Sequence, residues 1–274
     1  MLGSASVVAV PMVYLECRPS LPLAASIRSL WYACAPDLPH ERERVLPNGC
    51  IQIVISLAAD ALTDCDGDTL TPLPAAILVG ARGRYEVVHT RDMAELAGIV
   101  FRPGGLGPWL QQPADRFFEQ SVALDDVWPV QDMRDRLREA GTPSHKLALL
   151  DALLVERLRG RELRMRPAIQ CALAGLTRNS VRQTALAVGL SERRLHQIFR
   201  EDAGLSPKLW SRVYRFQKAL AALHSGEETR WDRLALDCGY FDQSHFSNDF
   251  RAFSGIDPTT YSGRRGRWQN HVHF

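Results

Sequence analysis

The stretch "FREDAGLSPKLW" (residues 199–210) returns, rewritten, as "FRAFSGIDPTTY" (residues 250–261), fifty-one positions later. A duplication constrains a fold strongly, since both copies must satisfy the same local geometry. The residues before each copy also correspond: "TALAVGLSERRLHQIF" against "LALDCGYFDQSHFSNDF", with one residue inserted in the second. In each, an alanine (Ala185, Ala235) sits four residues before a glycine (Gly189, Gly239), so a short helix ends where left-handed backbone is cheap. A polar cap follows, Ser191 or Asp242. Leu195 and Phe199, or Phe246 and Phe250, then fall at i and i+4 and bury one face of a second helix, leaving the other polar. This spacing predicts a helix-turn-helix, stated twice.

Each copy ends alike. Gly204 or Gly255 closes the second helix, and Ser206-Pro207 or Asp257-Pro258 starts another with a polar cap and a first-turn proline. After the first copy this helix is long, with Trp210, Val213, Phe216 or Gln217, Leu220 and Leu223 at helical spacing and a stop near Gly226. Some 18 residues make a rod of about 27 Å. Such a rod can hold two recognition helices in successive major grooves, about 34 Å apart.

The net charge of +2 conceals an asymmetry: residues 1–160 carry 15 Lys and Arg against 20 Asp and Glu, whereas residues 161–274 carry 18 against 11. A basic nucleic-acid module joined to an acidic sensing or partner domain has this signature. Six scattered cysteines with no C-x-x-C pair argue against a zinc ribbon and a disulfide scaffold, and fit reduced thiols in the cytoplasm. The apolar run "VVAVPMVYL" is interrupted by Pro11, and no stretch approaches the roughly 20 apolar residues a membrane span needs.

The first hundred residues favour strands. In "CIQIVISL", Ile51, Ile53 and Ile55 alternate with Gln52 and Ser56, so one face is core. Further strands are expected at residues 29–35, 75–80, 84–90 and 96–103, punctuated by "LPNG", "CDGD", "GARG" and "PGG". Short, regular strands suggest a sandwich or barrel. The period then changes to helical, with Leu147, Leu150, Leu154 and Leu158 on one stripe, Ser144 placed to cap and Gly160 to end it. That stripe is either intramolecular core or a dimer seam. Charge and periodicity together put a boundary near residues 160–167, beyond which everything reads as helical.

The motifs "AxxxGLSxRxLxxxFRxxxGLSPKxW" and "LALDCGYFDQSHFSNDFRxFxGIDPxxY", covering residues 180–261, resemble the two signatures of the AraC/XylS family of bacterial transcription regulators. The resemblance implies a sequence-specific DNA-binding regulator and not an enzyme. Carried over by position, it presents Arg193, His196 and Gln197 to bases from the first unit and Gln243, Ser244 and Asn248 from the second. Asn248 departs from the arginine common at that place, which argues against strong guanine readout by the second helix and suits Gln243 and Asn248 to adenine contacts or to weaker ones. Arg182, Arg194, Arg200, Lys208, Arg212 and Arg251 are the phosphate-contact candidates, the alternative for each being a solvated helix face. The tail "GRRGRWQNHVHF" either touches the DNA backbone or is disordered.

"LPNGCIQIVISL", "LVGARGRYEVV" and "LAGIVFRPGGLGPWLQQPADRFFEQSVALDDVW" are similar to a sensor-like domain found ahead of AraC-type modules, a cupin-like β fold. The expected class is therefore α+β: residues 1–128 a β-rich sensor domain, 129–165 a helical connector and dimerisation segment, and 166–274 a double helix-turn-helix domain. The partners implied are double-stranded DNA, with a small-molecule effector, RNA polymerase and a second copy of the chain as further candidates, and no membrane. His40, His89 and His145 form no H-x-H pair, so no metal and no cofactor is expected. "GARGR" lacks the strand-loop-helix context of a phosphate loop and reads as a hairpin turn. Two other readings are a protein-binding adaptor built on the helical repeats and an enzyme with Cys50 as nucleophile, His89 as base and Asp92 to orient it.

Overall fold

The computed structural model describes residues 12–36, 38–110, 112–159, 165–225, 230–264, 266 and 268–273. Ten strands build its first half: β1 (Val13–Cys17), β2 (Ile27–Cys34), β3 (Arg42–Val45), β4 (Gln52–Ser56), β5 (Ala61–Asp66), β6 (Thr69–Pro74), β7 (Ala76–Val79), β8 (Glu86–His89), β9 (Leu96–Phe101) and β10 (Ser121–Ala123). They form two antiparallel sheets, one in the order β1-β2-β9-β4-β7-β10 and the other β3-β8-β5-β6, the second extended by a strand from the far end of the chain. The result is a sandwich.

The six-stranded sheet is covered on both faces. Ile53 and Ile55 of β4 point outward with Leu30, Leu78 and Ile99, all buried, while Val54, Trp31, Ile77 and Val79 point toward the second sheet. Double coverage explains why β7 and β9 are buried at every position and show no alternation. The outer face is closed by α1 (Gln131–Glu139) and α2 (Pro143–Arg157). Leu147, Leu150, Leu154 and Leu158 are buried in this core, so the leucine stripe is consumed inside the chain and is not a dimer seam. Thr142, not Ser144, caps α2, accepting from the His145 amide at 3.2 Å, because Pro143 already occupies the first helical position.

Seven further helices follow: α3 (Pro167–Leu176), α4 (Val181–Ala187), α5 (Glu192–Ala203), α6 (Pro207–His224), α7 (Trp231–Asp237), α8 (Gln243–Ser254) and α9 (Pro258–Arg264). The β-rich half followed by two helix-turn-helix units, α4/α5 and α7/α8, joined by α6, is the architecture expected. The four turn glycines, Gly189, Gly204, Gly239 and Gly255, have φ between +70° and +86°, where a side chain would be strained. The expected helix stops at Gly160 and Gly226, most of the boundary at residues 160–167 and the apolar run up to Pro11 lie outside the described residues.

Two expectations need correction. "GARGR" is no hairpin: β7 belongs to the first sheet and β8 to the second, so the segment crosses between sheets, with Arg82 held by the Glu119 carbonyl at 3.1 Å and the Ser121 hydroxyl at 2.8 Å. The tail is not helical throughout, nor do its described residues lie loose: His271–His273 form β11, which pairs antiparallel with β3 on the edge of the second sheet. Glu43 accepts from His271 Nδ1 at 2.8 Å and pairs with His40 Nε2 at 2.6 Å. Burial opposes ionisation of the Glu43 carboxyl, but these two contacts hold its pKa below the usual carboxylate range. A period-two signal cannot emerge from three residues, and the basic residues before them suggested a solvated tail.

The crossover dictates a stability test. A Cβ on Gly80 would stand 1.6 Å from the Phe117 carbonyl oxygen, whereas one on Gly107 would meet nothing within 4 Å. Gly80→Ala is expected to lower unfolding stability by about 3 kcal/mol in urea titrations, with Gly107→Ala close to the parent.

Candidate nucleic-acid interface

Ser191 caps α5 through the Arg194 amide at 3.2 Å, and Asp242 caps α8 through the His245 amide at 2.7 Å. The caps fix which side of each helix faces the core. In α5, Leu195, Ile198 and Phe199 turn inward, and in α8, Phe246, Phe250 and Phe253 do so. The opposite faces then carry Arg193 and Gln197, with His196 half-buried, and Gln243, Ser244 and Asn248, all exposed. Each set of three sits on one helix, on the side away from the core.

The two faces differ in order. On α5, Arg194 Nη1 donates to Gln197 Oε1 and Gln197 Nε2 to Glu201 Oε1, both at 2.9 Å, and Glu201 Oε2 meets Arg166 Nη1 at 3.2 Å. This chain fixes the Gln197 amide, so a base must replace a bond already made. It also gives Arg194 a partner on its own helix.

Two phosphate candidates are engaged elsewhere. Arg212 on α6 forks onto Asp249 of α8, with Nη2 and Nε at 2.7 and 3.2 Å from Oδ1. That hydrogen bond raises the Arg212 pKa above its ordinary value, and the guanidinium lies over the Phe253 ring. Arg212 thus joins the linker helix to the second reading helix, a correction to its reading as a phosphate contact, because the buried Asp249 carboxylate would otherwise have only the His245 ring, 3.9 Å away, beside it. Arg200 meets Asp115 at 3.6 Å and ties α5 to the turn Ala114–Phe117 below the sandwich. Arg182, Lys208 and Arg251 are exposed.

Sequence reasoning missed two residues on the second unit. Phe241, 85% exposed, stands at the head of α8, and the His245 side chain is exposed on its first turn. The signal for Phe241 was the residue inserted in the second copy, which adds an aromatic next to the cap. An apolar ring there suits a thymine methyl group.

The enzyme reading meets a different geometry. Cys50 is buried, burial pushes its thiol pKa up, and its sulfur lies 4.0 Å from Arg28 Nη1. His89 Nδ1 accepts from the Arg91 amide, and Asp92 is engaged with Thr63 and Arg91. A protonated, enclosed thiol is a poor nucleophile.

Two helix-turn-helix units on a rigid linker helix, carried by a β sandwich, define a DNA-binding domain attached to a second domain. Residues 161–264 match the family described as "Helix-turn-helix domain", and residues 15–123 match "Domain of unknown function (DUF6597)". The HTH-type transcriptional activator RhaR of Yersinia pseudotuberculosis serotype O:1b (strain IP 31758) is 36% identical over 75 residues, 27% of this chain and 26% of that protein. RhaS of Klebsiella pneumoniae (strain 342) is 35% identical over 69 residues, 25% of this chain and 24% of that protein. The chain thus spans about a quarter of the length of these relatives. Among solved structures, the C-terminal domain of AraT, a response regulator from Geobacillus stearothermophilus, aligns at 23% identity and TM-score 0.35, covering 37% of this chain and 88% of that one. ToxT from Vibrio cholerae O395 aligns at 12% identity and TM-score 0.45, covering 81% and 95%. The C-terminal module is therefore similar to the helix-turn-helix modules of the transcriptional activators RhaR and RhaS.

Substitutions separate the roles. Gln243→Ala and Asn248→Ala are each expected to cost about 1–3 kcal/mol against the preferred base and to relax preference at that position, read by competition binding with single-base operator variants. Arg251→Ala should weaken all sequences alike and lower the slope of log affinity against log salt by about 0.9. For Arg212→Ala the expected loss is of folding stability, by about 2 kcal/mol in chemical denaturation.

Proposed function

We propose that this chain is a sequence-specific DNA-binding transcription regulator, with α5 and α8 entering adjacent major grooves on one face of the duplex. The observation that carries the reading is the duplication itself: two capped helices, each with a buried apolar seam and an exposed polar face, connected by the 18 residues of α6. A linker of about 27 Å suits grooves about 34 Å apart. Arg193, His196 and Gln197, and Gln243, Ser244, Asn248 and Phe241, read bases, while Arg182, Lys208 and Arg251 hold phosphates. The activator names of RhaR and RhaS support control of transcription, with RNA polymerase as the partner an activator requires.

Residues 1–128 act as sensor, 129–165 as connector and 166–274 as reader. The sandwich and the reader share a continuous core, which supports modulation by a small ligand in the N-terminal half. The cytoplasm is the compartment that offers DNA and keeps the six cysteines reduced. Among the described residues no helix is long and apolar enough to cross a membrane.

Selection of bound duplexes from a random pool by the full-length protein tests the reading. The expected product is a site with two short blocks about 10 base pairs apart, bound with a steep salt dependence. Recovery of no motif would overturn it.

A further inference from the structure

The two sheets leave a cavity between them of about 530 Å³, a size typical of small-molecule sites. Its walls differ in chemistry. From the six-stranded sheet, Trp31 packs over Gly98, where a Cβ would come within 2.2 Å of the indole. Two residues away on the same strand face, Ser29 is 5% exposed and its hydroxyl has no hydrogen-bond partner among the described residues. From the second sheet come Asp64 and Glu86. Burial pushes the Glu86 carboxyl up, the Arg82 guanidinium 2.8 Å away opposes this, and the charge of Asp64 adds to it. Four carboxylates line the cavity, the others being Glu16 and Asp92, against Arg28 as the one permanently charged base among the described lining residues; from outside it Arg82 pairs with Glu86 at 2.8 Å and Arg91 lies 3.8 Å from Asp92, which leaves Glu16 and Asp64 facing Arg28.

The last wall is not part of the sensor half. Trp268 and His271 of the tail and Gln217 of α6 close it. Gln217 Nε2 bonds both the Pro47 carbonyl and Asn270 Oδ1 at 2.8 Å, and Val272, fully buried, packs in one cluster with Phe216, Phe246 and Phe250 of the second reading unit. One short strand is thus a wall of the cavity on one face and a buttress of the DNA-reading module on the other.

We propose that this cavity binds a small organic cation, an ammonium group on an apolar or aromatic body, and that the tail strand β11 couples its occupancy to the placement of the DNA-binding module. The coupling rests on the regulator reading above, whereas the binding does not. An ammonium group offsets the excess of carboxylates, and its N–H donors give the Ser29 hydroxyl the partner it lacks. Trp31 and Trp268 supply aromatic surface for a cation. An anion of the same shape meets Arg28 alone among the described lining residues and is repelled by Asp64 and Glu16. Because β11 belongs to both the cavity wall and the module's core, a ligand that favours one tail position biases the module, and DNA biases ligand affinity by the same factor.

Full-length protein is titrated with benzylamine and putrescine, and with benzyl alcohol and benzoate as neutral and anionic counterparts, following melting temperature and tryptophan fluorescence. The expected result is a rise in melting temperature with at least one cation and none with benzoate. The response is lost in the double variant Asp64→Asn, Glu86→Gln, which keeps its own cooperative melt. No shift with either cation at millimolar concentration, or an equal shift with benzoate, overturns the binding. For the coupling, affinity for the selected duplex is measured with and without the binding cation. A change of about fivefold or more is expected, abolished in Gln217→Leu, which still binds DNA. Cation binding that leaves DNA affinity unchanged overturns the coupling. A protein that binds benzylamine but selects no DNA sinks the regulator reading and leaves the cation site standing.

Discussion

The outer face of the six-stranded sheet is the constraint on which everything else depends. Leu30, Ile53, Ile55, Leu78 and Ile99 make it wholly apolar, and it cannot be left in water. The leucines of α1 and α2 cover part of it. The same continuous core reaches Ile169, Leu176, Leu195, Phe199 and Trp210, so the first helix-turn-helix is built onto that layer rather than tethered beside it. The second unit packs in a separate core, formed by Phe216, Phe246, Phe250, Phe253 and Tyr261 together with Leu46 of the β-rich half and Val272 of the tail.

This arrangement gives the reading units unequal freedom. The first is held by shared core and by the Arg200–Asp115 pair. The second is held by α6, by the Arg212–Asp249 fork and by the tail that returns to β3. A change in the sandwich therefore reaches the first unit through the shared core and the second through Leu46, Tyr85, the tail strand and a few polar contacts.

Where local chemistry determines local structure, the sequence was readable. Gly189, Gly204, Gly239 and Gly255, the caps Ser191, Ser206, Asp242 and Asp257, and the buried apolar seams all lie where their spacing put them, because capping and periodicity act over one or two turns. The face of α8 with Gln243 and Asn248 followed directly. The fate of Arg212 was not readable, since its partner Asp249 is thirty-seven positions away and sits on a different helix. The "GARGR" crossover and β11 escaped for the same reason: sheet membership is decided by pairing across the chain, and His271–His273 find their partner 228 positions back, at Glu43. The leucine stripe was legible as a stripe, but what covers it, the six-stranded sheet, was decided by tertiary packing.

Hydroxyl-radical footprinting of the full-length protein on a selected duplex tests the two-reader account most directly. The account predicts two protected patches on one face of the DNA, about one helical turn apart, with the patch assigned to α8 lost selectively when Gln243 and Asn248 are both replaced by alanine. A single patch, or two that fade together in that variant, would contradict it.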